Sequence, residues 1–228
     1  MKVEILGTRA KIKPSAPGYK NHTGFLIDDQ ILLDVGEENF LEKNPMAIVF
    51  THFHPDHAFF VPEQLVFNPK IPHYGPEEHE LLPQLQIITK PFELQGYKFT
   101  PVHVIHALRL KSLGYVVEKG AKRIFFTGDV AWIEKAHLED LGKLDLIITE
   151  ATFINKGGRI NRKGNQIFGH TGVPDLIRLL GQHTPKIVFT HFGEWFYADV
   201  MGGPDKIRSL NQGNPELIPA HDGFIIEV

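Results

Sequence analysis

Cysteine is absent from the 228 residues. That gap removes disulfide staples, thiolate nucleophiles and cysteine-ligated zinc, and it fits a reducing compartment. Long apolar runs are missing too. The longest are strand-sized, short of the roughly 18–20 residues that a membrane span needs. The opening MKVEILGTRA reads as a strand and lacks the apolar core of a signal peptide. Neither sign of charge dominates: 24 Lys and Arg stand against 27 Asp and Glu, a net charge of -3. No global field therefore draws nucleic acid or a membrane, which leaves only local patches for such partners. These absences describe a soluble, cytoplasmic protein with no membrane contact. A composition of 42% hydrophobic and 22% charged residues is that of an ordinary globular chain, long enough to bury a sizeable core. The expectation is one domain over residues 1–228. Assembly into a homo-oligomer is left open.

Short β-branched runs recur along the chain: VEIL (3–6), GFLI (24–27), ILLDV (31–35), AIVFT (47–51), IIT (87–89), FTPVHVI (99–105), LGYVVE (113–118), RIFFTGD (123–129), LDLIITE (144–150), KIVFT (186–190) and GFIIEV (223–228). Gly, Pro, Asn and Asp punctuate them as strands require. Helices are fewer. Pro76 opens PEEHELL, where proline suits a first helical position and carboxylates suit the first turn. TGVPDLIRLLGQH starts a helix at Pro174 and Asp175, with Leu176, Ile177, Leu179 and Leu180 on one face. Another helix follows Pro204. Helices interspersed with strands in both halves favour two sheets sandwiched between helices, an α+β arrangement.

What is abundant is histidine, and it clusters. VFTHFHPDH places His52, His54, Asp56 and His57 in six residues directly after an apolar strand. Buried imidazoles and carboxylates are costly without partners. Neutral imidazole nitrogen and carboxylate oxygen are ligands for zinc, manganese or iron. Two histidines two residues apart can address one ion, and the following Asp-His pair a second. A dinuclear site needs more ligands, and strand ends supply candidates: His106 after FTPVHVI, Asp129 after RIFFTG, and His191 after KIVFT, which nearly repeats the IVFTH of residues 48–52. A carboxylate such as Asp129 can bridge two ions. His103 competes with His106, and His221 with His191. His22, His73, His79, His137 and His183 sit in polar or loop contexts, and Trp195, Phe196 and Tyr197 read as core.

The cluster followed by single His, Asp and His residues, each after a strand, resembles the metallo-β-lactamase superfamily. The resemblance covers most of the chain. It implies an αββα four-layer sandwich with two divalent metal ions at its edge, zinc first, manganese or iron as alternatives. It assigns His52, His54 and His106 to one ion, Asp56, His57 and His191 to the other, and Asp129 between them. LIITEATF (146–153) and FGHTGVPDLIRLL (168–180) are similar to two loops of ribonuclease Z-type phosphodiesterases, as are the opening strands with their D-x-G-E turn. There are departures. The first loop reads Thr149-Glu150-Ala151-Thr152, without that branch's histidine, and the second keeps only His170. The 23 residues from His106 to Asp129 leave no room for a long arm that clamps transfer RNA. The compact layout is closer to the cyclic phosphodiesterases of phosphonate metabolism. A small-molecule or short-nucleotide phosphodiester is thus the expected substrate, and transfer RNA is not.

Two cations side by side lower the pKa of a shared water and stabilise the attacking and departing oxygens of a phosphodiester. The leaving alkoxide needs a proton, which His170 can supply with Glu150 orienting its ring. Asp56, His170 and Glu150 are therefore the candidate catalytic residues. The segment NKGGRINRKGN (155–165) carries Lys156, Arg159, Arg162 and Lys163 with no acidic residue, and reads as a flexible loop, either overhanging the site and suited to phosphate or simply solvated at the surface. Two rival readings share the residues. One is a lactone, thioester or carboxylic-ester hydrolase, which needs neither the His170 acid nor a basic loop. The other is a non-enzymatic, metal-containing nucleotide- or anion-binding protein.

Overall fold

In the computed structural model, which describes residues 1–228, the chain folds into two seven-stranded sheets and one two-stranded ribbon. The first sheet opens with β1 (Lys2–Gly7), β2 (Gly24–Ile27), β3 (Ile31–Leu33), β4 (Ala47–Val49), β5 (His73–Gly75) and β6 (Gln86–Ile87), which lie side by side in that order. The second holds β7 (Phe92–Leu94), β8 (Tyr97–Val104), β9 (Ser112–Lys119) and β10 (Lys122–Phe126), followed after helix α1 (Lys135–Leu141) by β11 (Leu146–Ala151). The ribbon is β12 (Arg159–Lys163) and β13 (Gln166–His170). Then come α2 (Val173–Leu180), β14 (Lys186–Phe192), α3 (Glu194–Tyr197), α4 (Gly203–Arg208) and β15 (Glu216–Pro219), with β14 and β15 extending the second sheet beyond β11. The last strand, β16 (Phe224–Glu227), returns to the first sheet beside β1.

The apolar runs are nearly continuous because both faces of each sheet are covered. In β10, Ile124 and Phe126 point between the sheets while Phe125 faces outward; in β11, Leu146 and Ile148 point inward and Ile147 outward. The inward set joins Val3, Ile5, Phe25, Leu33 and Val49 of the first sheet in the central core. The outward set is covered by Leu138 and Leu141 of α1, Leu176 and Leu180 of α2, Phe196 of α3 and Ile207 of α4. Over the first sheet the covering layer is a 3-10 helix (Glu38–Lys43) and the turns of residues 53–85, which bury Phe40, Phe53, Phe60, Phe67, Leu81 and Leu82. The expected sandwich and its α+β class therefore stand.

The expected strands are present, and helices follow Pro174 and Pro204 as read. Residues 76–82 are not helical. The segment instead packs as turns that bury Leu81 and Leu82, the Phe67 amide donating to the Leu81 carbonyl. Residues 155–165 are not a simple loop but contain β12 and the turn into β13. His73 is buried in β5, not in a loop. No helix is long and apolar enough to cross a membrane.

Strand direction creates the site. β10, β11 and β14 run parallel, and β8 shares their direction because β9 is antiparallel to both its neighbours. Their C-terminal ends therefore open on one edge of the sandwich, where the end of β4 also arrives.

Candidate metal centre

The segment after β4 carries the dense cluster. His52, Asp56 and His57 are buried, and His54 is half-buried. Asp34, just beyond β3 and in the left-handed region (φ 59°), anchors it. Its carboxylate accepts the Thr51 amide at 2.7 Å, the Thr51 hydroxyl at 2.7 Å and His57 Nδ1–H at 2.8 Å. The segment after β8 supplies His106, whose Nδ1–H donates to the Gly169 carbonyl at 2.9 Å. Asp129 follows β10. His191 lies within β14 at φ 53°, beside a register shift between β11 and β14 that turns its ring toward the others.

Two groups of side chains result. His52 Nε2 and His106 Nε2 lie 3.1 and 3.0 Å from His54 Nδ1. His191 Nε2 lies 3.0 Å from Asp56 Oδ2, with His57 beside it. Asp129 reaches both groups. Its Oδ2 is 3.6 Å from His52 Nε2 and 3.5 Å from His106 Nε2. Its Oδ1 is 3.3 Å from the Nε2 atoms of both His57 and His191.

The hydrogen bonds behind these rings fix what the inward nitrogens are. The Thr51 hydroxyl proton goes to Asp34, so Thr51 Oγ1 accepts from His52 Nδ1 at 3.0 Å and leaves a lone pair on His52 Nε2. The Gly169 bond does the same for His106 Nε2. Two lone pairs thus face His54 Nδ1, which has at most one proton to give. His57 Nε2, its other nitrogen committed to Asp34, is buried with no hydrogen-bond partner. Thr152 donates its hydroxyl proton to Glu150, so it accepts from His191 Nδ1 at 2.9 Å, aiming the His191 Nε2 lone pair at two carboxylates. Converging lone pairs and carboxylates repel one another unless cations or protons lie between them. The residues present fit two cations, one per group, each ligand oriented by a partner behind it.

The electrostatics follow. Burial lowers the pKa of His52, His54 and His106, that of His54 to about 4, so these rings are neutral at pH 7. Burial also opposes charge on His57 and His191, but Asp129 together with Asp34 outweighs it at His57, and Asp129 together with Asp56 outweighs it at His191, so both are raised. Asp129 is itself held well below the usual carboxylate range, its burial outweighed by His191 and His57. A cation would serve this charge as those protons do.

A third element borders the cluster. Glu150, buried at the end of β11, accepts the Val130 amide at 2.5 Å and the Thr152 hydroxyl, and pairs with His170 Nδ1 at 2.7 Å. Burial works against the charged form of His170, yet Glu150 raises its pKa to about 9. The His170 side chain remains 21% exposed and stacks edge-on against His106, ring centroids 4.6 Å apart.

Residues 38–192 match the model of the beta-lactamase superfamily domain, more than half of the chain. The chain belongs to that superfamily. This beta-lactamase superfamily chain finds no match among curated proteins. Solved structures resemble it at low identity and share its metallo-beta-lactamase fold. The metallo-beta-lactamase fold protein YhfI from Bacillus subtilis is 17% identical, with a TM-score of 0.72 over 99% of this chain and 98% of that one. A diphosphatase from the PhnP family is 19% identical, with a TM-score of 0.71 over 100% and 97%. The short form of human tRNase Z is 18% identical, with a TM-score of 0.67 over 100% and 99%. The fold family is one of metal-dependent hydrolases and implies divalent metal ions at the His/Asp cluster.

All seven residues expected to hold metal, and both Glu150 and His170, come together on this edge. Their rivals do not. His103 points to solvent from β8, and His221 is exposed, its Nδ1 bonded to the Asp222 carbonyl. Sequence reasoning missed Asp34 and Thr152 as partners of the ring nitrogens. Asp34 carried a usable signal, a carboxylate inside the fully buried run ILLDV. Thr152 carried none beyond its place in the EAT loop.

Proposed function

We propose that this chain is a metal-dependent phosphodiesterase, with residues 1–228 acting as one metallo-hydrolase domain. The observation that carries the reading is the Glu150–His170 pair: an imidazolium held by a buried carboxylate, part-exposed, and in contact with the ligand cluster. Ester or lactone hydrolysis at a metal pair has no need of such a group, whereas a departing alkoxide has.

His52, His54 and His106 would hold one ion, and Asp56, His57 and His191 the other, with Asp129 between them; zinc suits this set of imidazoles and carboxylates, and manganese or iron remains compatible. Bound there, such ions supply an activated water and neutralise charge on the phosphoryl oxygens. The chain's own residues do the rest. Glu150 takes His170 Nδ1–H and so fixes the ring, leaving Nε2–H free to protonate the oxygen that departs. Thr152 holds Glu150 and His191 together, coupling the acid to the ligand set. Asp34 orients His57. Names of neighbours, a diphosphatase and a tRNase, support phosphate chemistry without choosing a substrate.

The test is steady-state hydrolysis of bis(p-nitrophenyl) phosphate with zinc and with manganese, bound metal quantified, for wild type and Asp129→Asn. Turnover abolished together with metal uptake in the variant supports the reading. No turnover with about two metals bound per chain, the full occupancy of a two-ion site, would falsify it and direct attention to lactones and thioesters.

A further inference from the structure

Charge on this molecule is unevenly placed. Residues 8–23 and 151–174 contain eight of the 24 Lys and Arg and no Asp or Glu, in a chain whose net charge is negative. The first segment is the β1–β2 connection with Arg9, Lys11, Lys13 and Lys20. The second contains the β12–β13 ribbon with Lys156, Arg159, Arg162 and Lys163. Only Arg9 approaches a carboxylate, Glu37 at 3.8 Å; the other seven are exposed and form no ion pair.

Both segments are tied to the metal cluster, on opposite flanks. The β1–β2 connection is laced to β14 and the Asp56 loop: the Phe192 amide donates to Thr8 at 2.7 Å, Ala10 to Phe192 at 3.2 Å, and Thr23 to Asp56 at 3.0 Å. It therefore borders His191 and Asp56. The ribbon is fastened to the other group: the Gly169 amide donates to His106 at 2.7 Å and Thr171 to Val130 at 2.7 Å. Register places Arg159 directly across from His170. Alternation along β12 puts Asn161 and Lys163 on the face that Arg159 occupies, successive members about 7 Å apart. Phe168, half-buried across from Asn161, adds an aromatic ring among these cations.

Unpaired cations flanking a reactive centre on both sides focus a polyanion onto it. We infer that the site takes a short single-stranded oligonucleotide that crosses the metal cluster, its phosphates held by the β1–β2 connection on one side and by the β12–β13 ribbon on the other. Phe168 is the stacking surface, as aromatic side chains among cations are in single-strand grooves. This inference rests on the phosphodiesterase reading and names its substrate class.

The experiment is fluorescence anisotropy of a fluorescein-labelled phosphorothioate hexanucleotide, whose backbone keeps its charge and resists attack at phosphorus, with the metal-loaded protein over a range of salt. Two charge variants, Lys11→Gln/Lys13→Gln and Arg159→Gln/Lys163→Gln, alter exposed side chains only. Lys186→Gln, at the far end of β14, is the control. Each single-strand phosphate contact contributes about −0.7 to the slope of log K against log salt, so each pair flattens it by about 1.4. Each flank variant should also bind more weakly at low salt, with the control unchanged. Wild-type slope and affinity in either flank variant would overturn the inference. Absence of turnover on bis(p-nitrophenyl) phosphate fails the phosphodiesterase reading instead, while anisotropy still reports on the flanks.

Discussion

Replacing His170 by alanine separates an acid from a bystander. Its Nδ1 is committed to Glu150 at 2.7 Å, and that carboxylate raises its pKa and favours the imidazolium. The full contribution of a positioned acid is thus available, about 10²–10⁴ in rate, or roughly 3–5 kcal/mol of barrier. That benefit exists only when the leaving group needs a proton. p-Nitrophenolate departs as a stable anion, whereas a sugar alkoxide does not. On a dinucleotide, His170→Ala should lose about 10²–10⁴ in kcat/KM, while on bis(p-nitrophenyl) phosphate it should stay within about tenfold of wild type. Glu150→Gln, which keeps the ring but removes the charge that holds its proton, should fall between the two on the dinucleotide. Metal content measured alongside guards against a lost ion. Equal losses on both substrates would refute the assignment of His170 as proton donor.

Other consequences can be measured directly. Asp34→Asn turns an NH2 toward one of three donors and slackens His57, so zinc affinity by competition titration should drop about 10–100-fold; unchanged affinity would remove Asp34 from the supporting shell. Asp28 offers a pH signature. Burial opposes its ionisation, but the Tyr97 hydroxyl, the Lys2 amide and the Lys119 ammonium outweigh it and lower its pKa from 3.8 to about 2. A depressed carboxylate stabilises the fold above its unfolded pKa and loses that effect as pH falls through the folded value. Urea unfolding should therefore show Asp28→Asn about 2 kcal/mol less stable at pH 7, a gap that closes between about pH 4 and 2. A gap independent of pH would contradict the assignment. At Gly193 an added Cβ would stand 2.1 Å from the Thr152 carbonyl oxygen. Gly193→Ala should cost about 2–3 kcal/mol in urea unfolding, and wild-type stability would show that this contact is easily relieved.

The ligand cluster was legible because buried strands ending in His or Asp have few bland explanations, and IVFTH occurs twice. Its burial repeats as well: Val49 and Val188 face the central core while Ile48, Phe50, Ile187 and Phe189 face outward. Glu150 and His170 were reachable only through resemblance, since nothing local marks one carboxylate and one imidazole as a pair. The β12–β13 ribbon escaped because its first strand is exposed throughout, so RINRK shows no apolar alternation. The helix expected after Pro76 failed for the opposite reason. A start signal was present, but Leu81 and Leu82 are buried from turns, the Leu81 carbonyl being taken by the Phe67 amide rather than by a helical neighbour. Asp34 and Thr152 act through contacts 17 to 39 residues away, a separation that no window along the chain encloses.

Each group of ligands draws on both sheets: His52 and His54 meet His106, and Asp56 and His57 meet His191. A shared ion would therefore tie together segments 50 to 130 or so residues apart, closing loops of the size for which a covalent bridge stabilises a fold by about 4–5 kcal/mol. In a chain with no cysteine, this is where a cross-link can form, and unlike a disulfide it dissolves with chelation or acid. Its benefit scales with the logarithm of free metal concentration. Scarcity of the ion would then shorten the lifetime of the folded molecule as well as silence it, so that the cell's metal supply governs how much of this protein survives.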